Sequence, residues 1–284
     1  MSRALVLSGG GTSGLAWQTG LLKGLRDNGV DLTNADLLVG TSAGAIMSAQ
    51  LATGHDLDGL YAIQRRRSAD LRPRNPMALM QAMADIKRRS KTPDSPGLDA
   101  SELVELGAAA LKATTESEEH RLATVSDYLP SAKEWPDRRL LLTAVDVATG
   151  SLVVWNKRSS ATLVEAVASS CAAPLVAPPT TINGRRYMDA GPHSGTSAQL
   201  AAGHDLVVVI AVARPGPLGP PLSEELVTLR AGGSRVEVIV PDAESLAVLF
   251  PNLLDETRRS LCAEAGCAQG AAAAAAWRDL LGAP

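Results

Sequence analysis

The apolar run Leu37-Leu38-Val39 gives way to the helix-like Ala45-Ile46-Met47-Ser48-Ala49-Gln50-Leu51 through one pentapeptide, Gly40-Thr41-Ser42-Ala43-Gly44. A strand that bends this sharply into a helix needs small residues on both sides of the bend. The residue at the apex is then held up at the mouth of the sheet. Here that residue is Ser42. A serine so placed attacks an ester or amide carbonyl if a base and an oxyanion hole stand beside it. G-x-S-x-G recurs by chance in chains rich in Gly, Ser and Ala. The strand before it and the helix after it give it weight here.

A second glycine-rich turn, Ser8-Gly9-Gly10-Gly11-Thr12-Ser13-Gly14, follows the strand-like Ala4-Leu5-Val6-Leu7 and precedes a helical pattern from Leu15 to Leu25. Glycines leave backbone N–H groups uncovered, and the helix behind them adds its positive end, so such a loop binds an anion. Gly9, Gly11 and Gly14 spell G-x-G-x-x-G, which fits a phosphate and leaves a nucleotide-binding protein as one alternative. A dinucleotide site also wants an acidic residue about 20 residues on, at the end of the second strand. That strand runs instead into Gly40-Thr41-Ser42, and Asp31 and Asp36 precede it. The nucleophile turn one strand later favours the oxyanion of a tetrahedral acyl intermediate.

The general base is less obvious. The four histidines are His55, His120, His193 and His204. His55, His120 and His204 read as surface or end-of-element residues. His193 lies two residues after Gly191 and stays open, as part of a Ser–His alternative that also includes His204. Asp189, in Tyr187-Met188-Asp189-Ala190-Gly191, is the other candidate. It ends a strand and is followed by small residues that let it approach a serine. A carboxylate with a pKa near ~4 is a poor base in water. Partial burial raises that pKa and makes it a better proton acceptor. Asp146, at the end of Leu140 to Val145, is the competing carboxylate, and an Asp there often caps a turn. Asp205 and Asp242 flank strand ends and are read as structural.

These segments resemble patatin-like phospholipases. The resemblance rests on the glycine loop, on Gly40-Thr41-Ser42-Ala43-Gly44, and on Asp189-Ala190-Gly191. The approach to Asp189 is its most specific part, from Ala168-Ser169-Ser170-Cys171-Ala172-Ala173-Pro174 through Pro178-Pro179 and Ile182-Asn183-Gly184-Arg185-Arg186-Tyr187-Met188. It covers about residues 4 to 60 and 138 to 215. It implies a three-layer α/β/α architecture and a Ser–Asp dyad of Ser42 and Asp189. It also implies an oxyanion hole from the amides of Gly9, Gly10, Gly11 and Thr12, with Gly14, Gly40, Gly44 and Gly191 supporting the motifs. Proteins of this kind cleave acyl esters of phospholipids, lysophospholipids or related lipids, without a metal or organic cofactor. The same acyl-enzyme passes its acyl group to an alcohol in an acyltransferase.

Three positions depart from the family pattern. Ser8 stands where Asp or Gly is usual, and Ser13 where Arg or Lys is common, which removes a cation near the loop. Ala190 replaces the middle glycine of Asp-Gly-Gly. If the backbone there required positive φ, Ala would cost on the order of 1 kcal/mol.

Composition fits one soluble enzyme. Hydrophobic residues make up 45% and aromatics 3%, so the core is expected to be Leu, Val and Ala. A net charge of −3 gives no bias toward nucleic acid. Ala4 to Leu7 is too short for a signal h-region. The longest strongly apolar run, Leu206 to Ala213, is far below the ~18 residues of a membrane-spanning helix. Three cysteines, an odd number, argue for reduced thiols and a cytoplasmic location. No His/Cys cluster suggests a metal.

Strand-like runs at 4–8, 36–40, 138–147, 151–156, 205–213 and 235–240, with helices between them, predict an α/β fold. Its central sheet is mostly parallel, with helices on both faces and the ligand site at the strand carboxyl ends. The chain 1–284 reads as one domain with a helical insertion at about 55–137. That insertion carries Arg65-Arg66-Arg67, Arg72, Arg74, Lys87-Arg88-Arg89 and Lys91 around the apolar Met77 to Ala84, punctuated by Pro73, Pro76, Pro93 and Pro96. It reads either as a solvated helical face or as a lid that docks on anionic membrane. Arg214 to Pro221 predicts a surface loop, and Ala271 to Ala276 a tightly packed helix. The oligomeric state is open.

Overall fold

The computed structural model describes residues 1–66, 74–90, 97–129, 134–212, 222–250 and 252–281. In chain order the elements are β1 (Arg3–Leu7), α1 (Gly11–Asp27), β2 (Leu37–Thr41), α2 (Ala43–Ala52), α3 (Leu57–Arg65), α4 (Met77–Arg89), α5 (Ala100–Lys112), α6 (Glu118–Asp127), β3 (Arg139–Asp146) and β4 (Leu152–Trp155). They continue with α7 (Leu163–Ser170), β5 (Thr180–Ile182), β6 (Arg185–Asp189), β7 (Leu206–Ile210), α8 (Leu222–Ala231), β8 (Arg235–Ile239), α9 (Ala243–Leu249) and α10 (Arg259–Leu281).

The strands pair in the order β5-β6-β3-β2-β1-β7-β8, and β4 also pairs with β3. The β3–β2, β2–β1, β1–β7 and β7–β8 pairs are parallel, whereas β3–β4, β3–β6 and β5–β6 are antiparallel. β1, β2 and β7 read as unbroken apolar runs because helices cover both faces of the parallel part. On one face Leu5, Leu7, Leu38, Leu142, Val208 and Ile210 pack against α1, α2, α7 and α10. On the other, Val6, Val39, Val207 and Val209 meet Ala198 and Ala201 of a short turn before β7, and Leu229 of α8.

The register along β3 decides where the site lies. Thr143 pairs with Thr41 of β2 and with Val154 of β4, and the next residue, Ala144, pairs with Val153 of β4 and with Asp189 of β6. A strand residue has two edges. With β4 on one of them, β2 and β6 share the other. They run toward each other along it, so the end of β2 at Thr41 meets the end of β6 at Asp189.

α1 and α10 lie side by side in parallel through glycines spaced four apart. A methyl group at Gly20 would sit 2.0 Å from the Ala263 carbonyl oxygen, one at Gly24 2.1 Å from that of Cys267, and one at Gly266 2.2 Å from that of Trp17. Glycine costs a helix up to about 1 kcal/mol per residue relative to alanine, and here it permits backbone-to-backbone packing.

Three expectations need revision. The strand-like runs omit the β5–β6 hairpin, although its Asn183-Gly184 turn, with φ of 50° and 75°, is a familiar hairpin signal. Ala271 to Ala276 is helical but not tightly packed: Ala274 is buried, and Ala271, Ala272, Ala275 and Ala276 are exposed. The basic middle is largely paired: Arg65 with Glu264, Arg74 with Glu116, Lys87 with Glu102, Arg88 with Asp85 and Arg89 with Glu105. On α4, Leu79, Met83 and Ile86 pack onto Val145, Met188 and Ala190, while Met77 and Met80 face outward. Pro76 caps α4. Arg67, Arg72, Lys91, Pro73, Pro93, Pro96 and the loop 214–221 lie outside the described residues. Among the described residues, no helix is long and apolar enough to cross a membrane.

Candidate active site

Ser42 caps α2 with φ 53° and ψ −118°, a backbone conformation that costs a non-glycine residue on the order of 1–3 kcal/mol. The surroundings impose it. A methyl group at Gly40 would lie 2.5 Å from the Gly44 carbonyl oxygen, and one at Gly44 1.9 Å from that of Leu7. The bend is therefore closed by two glycines that no other residue can replace without moving backbone. Ser42 N–H donates to Ser170 Oγ at 2.8 Å, and the Cys171 thiol donates to the Ser42 carbonyl at 3.2 Å. Ser170 and Cys171 end α7, so this helix braces the bend from behind. Burial pushes the Cys171 thiol up to about 12, so it is a packing group and not a nucleophile.

Asp189 is buried, 5% exposed. Burial pushes its pKa up to about 6, while the Ser42 hydroxyl, the Gly191 N–H and the Arg121 guanidinium pull it down. Gly191 N–H donates to Asp189 Oδ1 at 2.8 Å, and Asp189 N–H donates to the Ala172 carbonyl at 3.0 Å. Arg121 itself donates to the Cys171 carbonyl at 2.9 Å. Ala190 does not have positive φ, so the alanine in place of glycine brings no backbone strain.

The glycine loop ends β1 beside β2. A Cβ added at Gly9 would lie 3.4 Å from the Ser42 Cβ, in ordinary contact. Gly9 N–H donates to the Gly195 carbonyl at 2.8 Å and is thereby occupied. Gly10, Gly11 and Thr12 open α1, where the first amides have no partner within the helix. Ser8 stitches the loop: its hydroxyl donates to the Gly9 carbonyl at 2.7 Å and accepts from Val212 N–H at 2.8 Å. Gly14 gives the passing Val212 room, with its Cγ2 3.2 Å from where a methyl group would stand. Ser13 is fully buried, with its N–H on the Leu253 carbonyl at 3.0 Å and its hydroxyl on that of Asp255 at 3.3 Å. A long cationic side chain there would displace the segment 253–255.

The other candidates are engaged elsewhere. Asp146 caps its turn, accepting from Ala148 N–H at 3.0 Å and Thr149 N–H at 3.1 Å, and pairs with Arg185 at 2.6 Å. His204 lies before β7, at the opposite end of the sheet, with Nδ1 2.9 Å from the Ala201 carbonyl oxygen. His55 meets Thr53 at 2.9 Å, and His120 lies 3.7 Å from Glu116. Among the described residues, no hydrogen bond joins the His193 ring to Ser42 or Asp189; the backbone N–H of His193 donates to the Ala190 carbonyl at 2.9 Å. Asp205 accepts from Ser2 N–H at 2.6 Å and Asp242 caps α9, both structural. No group of three or more His, Cys, Asp or Glu among the described residues could hold a metal ion.

The Patatin-like phospholipase family model matches residues 5–202. A search of curated proteins finds no match. Among solved structures, VipD from Legionella pneumophila is similar at 12% identity and TM-score 0.45, covering 97% of this chain and 67% of its own. The type III effector protein ExoU is similar at 15% identity and TM-score 0.44, covering 98% of this chain and 53% of its own. The chain thus spans about half the length of ExoU.

Proposed function

The chain belongs to the patatin-like phospholipase family, and we propose that it is a serine acyl hydrolase that cleaves lipid esters with Ser42 as nucleophile and Asp189 as base. The observation that carries this reading is the head-on meeting of β2 and β6, which sets the strained Ser42 beside a carboxylate whose pKa burial has pushed up to about 6. A base of that pKa is ionised at neutral pH yet accepts a proton far better than a solvated aspartate.

Asp189 takes the Ser42 proton as Oγ attacks the ester carbonyl. The amides of Gly10, Gly11 and Thr12, with the positive end of α1, stabilise the oxyanion. When the intermediate collapses, the carbon–oxygen bond to the alcohol breaks and Asp189 returns its proton to that oxygen. Water, deprotonated by Asp189, then attacks the acyl-enzyme; the bond to Ser42 Oγ breaks, Asp189 returns the proton to Oγ, and the fatty acid leaves. An alcohol in place of water would make the same site an acyltransferase. The residues invoked here need no metal or organic cofactor.

In this reading α3 to α6 form a helical insertion within one catalytic domain, and the outward Met77 and Met80 of α4 are its lipid-facing residues. The pairing of most described cations around them weighs against strong dependence on anionic lipid. We propose a cytoplasmic location, where the three free cysteines would stay reduced.

The test is hydrolysis of p-nitrophenyl esters from C4 to C16 by the wild type, Ser42→Ala, Asp189→Asn and His193→Ala. Loss in the first two variants with retention in the third is expected. A dead His193→Ala beside an active Asp189→Asn would overturn the assignment.

A further inference from the structure

Another buried carboxylate, Glu225 on α8, plays no part in the chemistry above, yet its bonds converge on the site. It is 7% exposed. Its Oε1 accepts from Ser194 Oγ at 2.5 Å, and its Oε2 accepts from Ala198 N–H at 2.9 Å and from the Thr196 hydroxyl. Ser194 Oγ in turn accepts from Ser197 N–H at 2.8 Å and Thr196 N–H at 3.3 Å. A buried donor left without an acceptor is costly. One side chain from a later element thus determines the path of residues 194–198. Within that path Ser197 holds a left-handed backbone, φ 52° and ψ 39°.

This loop touches both halves of the site. It begins three residues past Gly191 and is tied back to the Asp189-Ala190-Gly191 turn, with Ser194 N–H on the Ala190 carbonyl at 2.8 Å. At its middle the Gly195 carbonyl accepts Gly9 N–H at 2.8 Å. Gly9 is the glycine-loop residue that lies against Ser42. One continuous segment therefore carries Asp189 at its start and grips the glycine loop at Gly195.

We propose that Glu225 is a positioning residue of the active site. By fixing residues 194–198 it holds the Gly195 carbonyl, which keeps the glycine loop in register with Ser42 and Asp189. It contacts neither substrate nor reacting atoms. The inference rests on the Ser42–Asp189 reading above. The competing account is that Glu225 merely anchors α8 to the sheet, in which case its loss would lower stability and leave turnover alone.

The two accounts separate in the full-length protein. Glu225→Leu removes the acceptors, Glu225→Gln restores one, Thr196→Val removes one donor, and Leu229→Ala damages the apolar packing of the same helix. Each is measured for kcat and KM on a soluble short-chain p-nitrophenyl ester, for the rate of Ser42 labelling by a fluorophosphonate, and for thermal midpoint. In Glu225→Leu, kcat and labelling rate should fall about tenfold to a hundredfold, with KM within about twofold, because small displacements of an oxyanion loop are expensive. Glu225→Gln should recover part of the loss. Thr196→Val should show a smaller fall in the same direction, and Leu229→Ala should lose stability at unchanged kcat. Unchanged kcat and labelling in Glu225→Leu and Thr196→Val, with only a lower midpoint, would overturn the inference. If Glu225→Leu does not fold, Glu225→Gln and Thr196→Val decide it by the same criterion. Absence of Ser42 labelling in the wild type overturns the dyad reading too, whereas normal labelling with unaffected variants overturns this inference alone.

Discussion

Asp146 and Asp189 sit two pairings apart in the same corner of the sheet, one ending β3 and the other ending β6, and both are buried. Their surroundings differ in one respect. Asp146 spends its oxygens on two turn amides and the Arg185 guanidinium. Asp189 has one amide, from Gly191, and the hydroxyl of Ser42. Burial alone does not make a base. It does so where the carboxylate is left short of donors, so that a proton is the partner it lacks.

The sharpest way to break this comparison is to neutralise each carboxylate in turn. Asp189→Asn should lower kcat by about a thousandfold or more, as Ser42→Ala should. Asp146→Asn should keep most of the activity and instead lose about 2 kcal/mol of stability, because it weakens a charged turn cap and an ion pair. Ester hydrolysis and thermal unfolding on the same samples check both halves. Equal losses of activity would erase the distinction.

The second effect is on pH. Activity should rise with pH through a limb near about 6 as Asp189 ionises. Stability should move the other way. The folded state keeps the Asp189 proton up to about 6 and the unfolded chain releases it near 3.8, so the native state loses ground as pH rises across that window. Asp189→Asn should therefore melt above the wild type at about pH 8, with the gain shrinking toward about pH 4. A gain that does not change with pH would show that the group is not titrating there.

The smallest effect concerns the bend itself. Ser42→Gly should be more stable than Ser42→Ala by about 1 kcal/mol, because only glycine relieves the positive φ. Chemical denaturation of the two inactive variants measures it, and equality would mean that the bend relaxes on substitution.

What was legible in the chain follows the range of the forces involved. The bend at Ser42 and the glycine loop are local, so their glycines announce them. The β5–β6 hairpin was equally local and Asn183-Gly184 marked it, yet the strand-like runs passed over it because its strands are only three and five residues long. The difference between Asp146 and Asp189 was not local, since it depends on Arg185 reaching back across the sheet to a residue 39 positions away. Glu225 was invisible for the same reason, since its donors lie on a loop that only the folded sheet brings near. The alanine run misled in another way. Alanine is the best helix former and asks for no partner, so a helix was readable there but its burial was not.

The pairing of α1 with α10 bears on how the gene can be cut. The family match ends at residue 202, and α10 begins more than fifty residues later. A protein trimmed to the matched segment would leave Gly20 and Gly24 facing water. Neither has a side chain to shield the backbone, and both lie within four turns of the glycine loop beside Ser42. In the proposed mechanism α10 is thus the backstop of the helix that opens with the oxyanion amides, and a truncation there should lower the activity of a serine more than two hundred residues upstream.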